Sequence, residues 1–148
     1  MAGNLDDFVA QFQQEVFEAA KQAYGEEAFR RWLQPRFFGA MPDCSSSARI
    51  TGPCGESMEI YLKIEGERVA AASFFTDGCG ASIACGSLAA ELAHGKALED
   101  AASISGDTIL KKLGGLPDEH RHCAQLAAET LQAAVHAYLA KSTGKSAQ

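Results

Sequence analysis

The chain has 148 residues, 47% hydrophobic and 22% charged, with 13 Lys and Arg against 19 acids for a formal charge of −6. These values exclude a disordered or low-complexity polymer, and a chain this long buries roughly 70% of the surface its unfolded form exposes, enough for one core. The acidic balance excludes a nucleic-acid backbone as main partner, and no apolar run approaches the roughly 20 residues of a membrane span. Residues 51–100 hold eight acids and three bases, a middle segment better suited to a cationic metal or a basic protein surface. The start (Met1, Ala2, Gly3, Asn4) lacks a basic and an apolar leader region, so a cytoplasmic location is expected.

In chain order, Leu5, Phe8, Val9, Phe12, Val16, Ala20 and Tyr24 recur at three- and four-residue steps and predict a core-forming helix over 5–24, with Asn4 as N-cap. Gly25 breaks it, and a second helix over 26–33 stops before Pro35. Eight of the twelve aromatics lie before residue 40, so residues 1–40 are expected to pack as a hydrophobic cover on the rest. Residues 39–53 are rich in turn formers and predict a loop with at most a short edge strand. Alternation then takes over: Met58, Ile60, Leu62 and Ile64 predict a half-buried strand, and Gly66 turns the chain into a second strand over 68–76. Helices follow over 81–94, 98–101, 108–113 and 119–139, then a polar, frayed tail over 141–148. Strands followed by helices, without βαβ alternation, indicate an α+β domain with a small antiparallel sheet of about three strands packed with helices, its body spanning 41–140.

Five cysteines are too few for a disulfide scaffold and odd in number, which points to reduced thiols. Cys54 lies in Gly52-Pro53-Cys54-Gly55 before the first clear strand, Cys79 in Gly78-Cys79-Gly80 between the second strand and a helix, and Cys123 after His122 near the start of the last helix. All three fall at element ends, where side chains converge at one edge of a sheet and glycine permits close approach. Amides at a helix N-terminus also favour a thiolate at Cys79. Three dispersed thiolates leave a tetrahedral metal one ligand short, and Glu56 or His122 is the candidate fourth donor. Cys85 shares an apolar helix face with Ala81, Leu88 and Leu92 and reads as packing, while Cys44 reads as an accessible thiol without a role. His94 reads as a dipole partner at a helix C-terminus, and His136 as a solvent-facing residue.

Several segments resemble the iron-sulfur cluster assembly scaffolds of the IscU type and the N-terminal domain of NifU. These are Gln34-Pro35-Arg36, Gly52-Pro53-Cys54-Gly55-Glu56-Ser57-Met58, Asp77-Gly78-Cys79-Gly80-Ala81-Ser82, Gly95-Lys96-Ala97-Leu98-Glu99-Asp100-Ala101 and Arg121-His122-Cys123. Twenty-four residues separate Cys54 from Cys79 and forty-three separate Cys79 from Cys123, which is similar to the IscU spacing. The resemblance implies a NifU/IscU-like fold and a scaffold, not an enzyme, that builds a transient [2Fe-2S] cluster for apo-proteins. It implies Cys54, Cys79 and Cys123 as the essential thiols, Glu56 in the place of the family's aspartate, His122 as the motif histidine, and Cys123 as acceptor of persulfide sulfur from a cysteine desulfurase. Zinc is expected to fit the same ligands as iron. Where the family carries Leu-Pro-Pro-Val-Lys for a dedicated Hsp70 chaperone, this chain has Leu116-Pro117-Asp118-Glu119-His120, which counts against that partner. Competing readings are a zinc-binding sulfur-transfer protein, a structural zinc domain, and an enzyme with Cys79 as nucleophile.

Overall fold

The structure is a computed structural model that describes residues 2–53 and 55–147, with side chains over 4–53 and 55–141. Its centre is a three-stranded antiparallel sheet in the order β1-β2-β3, formed by β1 (Ser46–Thr51), β2 (Ser57–Glu65) and β3 (Arg68–Thr76). Alternation on β2 sends Met58, Ile60, Leu62 and Ile64 to one face, where they are buried with Val69, Ala72 and Phe74 of β3. A register shift at Lys63/Ile64 precedes the hairpin, whose two-residue turn places Gly66 at φ 58° and Glu67 at φ 63°, the left-handed geometry of tight hairpins.

Helix α3 (Gly80–Ala93) and helix α6 (Arg121–Ala147) cover the apolar face, with α4 (Leu98–Ala102) and α5 (Gly106–Leu113) packed alongside. Ten of the fourteen residues of α3 are buried, so this helix is apolar on nearly every side and forms the middle of the molecule. Its contact with β3 requires Gly86, where an added Cβ would stand 2.4 Å from Phe74 Cδ2. Ser46 donates to the carbonyl of Ala134 at 2.9 Å and ties β1 to α6. Helix α2 (Glu26–Leu33) docks on α3 through Arg31, which pairs with Glu27 of its own helix and with Glu91 at 2.9 Å. The outer edge of β3 is partly paired by Phe37 and Gly39 through the backbone of Phe74, at 2.9 and 2.7 Å.

Three expectations are corrected. Helix α1 runs Ala2–Tyr24, so Asn4 lies inside it and is not its N-cap. Nor is α1 a core helix. Leu5, Phe8, Val9, Phe12, Val16 and Phe17 are 43–67% exposed, because α1 packs on the short α2 and extends away from the sheet. The short edge strand expected in the turn-rich stretch is present as β1, held by its ladder to β2 and the Ser46 bond. The last helix continues past Leu139 to Ala147, since no proline interrupts residues 140–147.

Candidate metal centre

The site lies at the end of the sheet where β2 begins and β3 ends. Thr76 and Asp77 lock this end: Thr76 Oγ1 donates to the Ser57 carbonyl at 2.7 Å and accepts from the Gly78 amide at 3.1 Å. Asp77 Oδ1 accepts from the Ser57 amide at 2.7 Å. These bonds fix the loop carrying Glu56 against the one carrying Cys79. Gly78 lets the two come together, since a Cβ there would lie 2.6 Å from both Glu56 Oε2 and Ser82 Oγ.

Cys79 is the N-cap residue of α3 and is exposed, while Cys123, in the first turn of α6, is fully buried. Glu56 Oε1 lies 2.9 Å from His122 Nε2 and 3.9 Å from Cys123 Sγ, and His122 Nε2 lies 3.8 Å from Cys123 Sγ. Ser82 donates to Glu56 Oε2 at 2.9 Å, with its oxygen 3.3 Å from Cys123 Sγ. Glu56, Cys79, His122 and Cys123, predicted from scattered positions, thus gather in one place. Cys54, two residues before Glu56 in the chain, lies outside the described residues.

The two thiols differ in charge. A hydrogen bond from Cys123, the backbone amides of Ser82 and Ala81, and the Ser82 hydroxyl hold Cys79 far below the ordinary thiol range, at about 4, against an opposing effect of burial. The same contact with Cys79, reinforced by burial, pushes the Cys123 thiol up. The metal-free pair is therefore one thiolate, on Cys79, accepting from one thiol, on Cys123.

His120 is the residue that sequence reasoning missed. It closes the single 3-10 turn Asp118–His120, and its Nδ1 lies 3.8 Å from Cys79 Sγ. The available signal was the spacing His120-Arg121-His122-Cys123, which puts two imidazoles and a thiol within one helical turn. The donor atoms of Cys79, His120 and Cys123 lie within 4.8 Å of one another, as do those of Glu56, His122 and Cys123. Tetrahedral bonds of about 2.3 Å to sulfur and 2.0–2.1 Å to nitrogen place ligand atoms roughly 3.3–3.8 Å apart. Both triads meet that spacing with small side-chain adjustments.

The remaining candidates stand apart. Cys85 is buried, and burial pushes its thiol up to about 12, the state of a packing residue. Cys44 is half-buried, not freely exposed, beside Ser45–Ser47 and α6. His94 is the C-cap of α3 and stacks on Phe37 at 6.0 Å, while His136 is exposed on α6. Among the described residues no helix is long and apolar enough to cross a membrane.

Comparisons with known proteins bear on the family and the fold. Residues 23–145 match the family model described as the NifU-like N terminal domain. The chain is 38% identical over 120 residues to iron-sulfur cluster assembly scaffold protein IscU 1 of Archaeoglobus fulgidus, covering 80% of this chain and 78% of that protein. It is 34% identical over 121 residues to the IscU scaffold protein of Aquifex aeolicus, covering 80% and 77%. Among solved structures, the N-terminal part of a NifU-like protein from Brucella abortus superposes with a TM-score of 0.64 at 17% identity, covering 82% of this chain and 98% of that one. That likeness bears on the fold alone.

Proposed function

The chain belongs to the NifU-like N-terminal domain family, and from that premise we propose that it is a scaffold on which iron and sulfur are assembled into a transient [2Fe-2S] cluster. The observation that carries the proposal is the convergence of Glu56, Cys79, His122 and Cys123 at one sheet end. Cys54 is proposed as the third thiolate. Soft thiolates beside a carboxylate and an imidazole form a donor set that takes ferrous iron or zinc, and one that holds a cluster less firmly than four thiolates do. Iron and sulfur are here cargo, and a site at an exposed edge suits their release to apo-proteins.

Sulfur is proposed to come from a cysteine desulfurase bearing a persulfide. Its terminal sulfur is attacked by the Cys123 thiolate. An S–S bond forms at Cys123, the S–S bond on the desulfurase breaks, and the desulfurase cysteine leaves as a thiolate. Cys123 must first lose its proton, which its burial and its contact with the Cys79 thiolate disfavour in the free chain, so ionisation of Cys123 has to accompany docking of the desulfurase or of a metal ion. A second reading, with Cys79 as first acceptor, is favoured by the exposure and thiolate state of that residue. A Cys79-nucleophile enzyme would use one thiol and a base, and it leaves Glu56, His122 and Cys123 without a task. The acids Asp118 and Glu119, exposed beside the site, continue to weigh against a dedicated Hsp70 partner.

Anaerobic incubation with ferrous iron, cysteine and a desulfurase is the test. Thiolate-to-iron absorption should appear in the parent chain and in Cys44→Ser and Cys85→Ser, and be lost in Cys54→Ser, Cys79→Ser and Cys123→Ser. Equal loss in all five variants, or no absorption in the parent, overturns the scaffold assignment. Mass spectrometry of the sulfurated chain before iron is added distinguishes Cys123 from Cys79 as acceptor.

A further inference from the structure

Tyr24, the last residue of α1, is distant in sequence from every cysteine, yet its hydroxyl lies 3.3 Å from His120 Nε2. The two rings sit 5.1 Å apart, and Tyr24 also meets Trp32 edge-on at 6.3 Å. His120 is half-buried under this aromatic contact, with Nδ1 turned to Cys79 Sγ at 3.8 Å. An imidazole that binds a metal through one nitrogen characteristically donates its other N–H to an oxygen, which fixes ring orientation and tautomer. The Tyr24 hydroxyl is positioned to be that acceptor.

We propose that His120 is a metal ligand through Nδ1, and that Tyr24 is the positioning residue that holds its ring toward Cys79. The centre then has two three-donor faces sharing Cys123: Glu56 and His122 on one side, Cys79 and His120 on the other. The second face adds an imidazole that the sequence reading did not include, and it ties the N-terminal helix to the metal through one side chain. This rests on the reading of the site as a metal centre and extends it to a named donor outside the three proposed thiolates.

Cobalt(II) added anaerobically to the reduced full chain tests it, with thiolate-to-cobalt absorption reporting affinity and proton NMR reporting imidazoles. Each cobalt-bound imidazole gives a hyperfine-shifted, solvent-exchangeable ring N–H signal. His120→Ala is expected to lose one such signal and to bind cobalt at least tenfold more weakly while its circular dichroism stays that of the parent. Tyr24→Phe should keep the signal, exchange it faster with solvent, and weaken binding by about tenfold. Unchanged signals and affinity in His120→Ala overturn the proposal and leave the metal-centre reading standing. Absence of any thiolate-to-cobalt band in the parent overturns both.

Discussion

At the scale of single residues, the chemistry of the site follows from two thiols placed unequally. Cys79 sits where helix amides converge and a neighbouring thiol donates to it; Cys123 is buried behind it. In the metal-free chain, alkylation of Cys79 by iodoacetamide should be nearly constant from pH 6 to 8, because its thiolate is already complete above about 4. A thiol at the ordinary value of about 8.5 would gain close to a hundredfold over that interval. The same difference enters stability with a definite sign. Cys79 ionises at lower pH folded than unfolded, so unfolding takes up a proton between the two values and its contribution, complete above the ordinary thiol value, is lost as pH falls toward 4. Cys123, held protonated when folded, contributes below the ordinary value and loses that contribution above it. Denaturant unfolding of the metal-free chain should therefore show stability rising from pH 5 to 8 more steeply than in Cys79→Ser.

At the scale of elements, the β2–β3 hairpin was legible because alternation and Gly66 agree, but its second turn residue is a local conflict. Glu67 occupies a left-handed conformation that its Cβ disfavours. Glu67→Gly should raise stability by about 0.5–1 kcal/mol, and Glu67→Val should lower it by about 1 kcal/mol or more, as read by urea unfolding. The bounds of strand β1 are harder to read than its existence, because its ladder partner and the Ser46 bond to α6 are tertiary, while Gly, Pro and Ser nearby advertise a loop. The three- and four-residue spacing in α1 specifies a helix but not a core helix. Periodicity reports an apolar face and does not report what covers it.

For the whole molecule, Cys79 and Cys123 are legible from their positions at element ends, whereas for His120 the sequence offers its spacing to His122 and Cys123 but not its aromatic partner. Its partner Tyr24 lies 96 residues away, and the packing of α1 on α2 and of α2 on α3 brings them together. The described donors come from three separated segments, the loop before β2, the start of α3 and the start of α6, so a bound ion acts as a cross-link between them. The core of Met58, Ile60, Leu62, Phe74, Leu88 and Leu131 is complete without it. A chelated chain should thus stay folded. Zinc at a hundredfold over its Kd should add about 2.7 kcal/mol, or roughly 5–10 °C in Tm by scanning calorimetry. Unfolding on chelation would favour the structural zinc domain instead.

Gly80, next to Cys79, is bare because the indole of Trp32 lies over it, so close that a Cβ would stand 2.8 Å from the ring. Trp32 is also the chain's one tryptophan. Its ultraviolet emission therefore originates within a few ångströms of the residue that receives the metal, with no competing tryptophan to dilute it. Cobalt or an iron-sulfur cluster, which absorb where indole emits, would darken that emission by energy transfer. Zinc, which absorbs no light there, would leave only the effect of local packing. The molecule carries its own optical gauge of what the site holds.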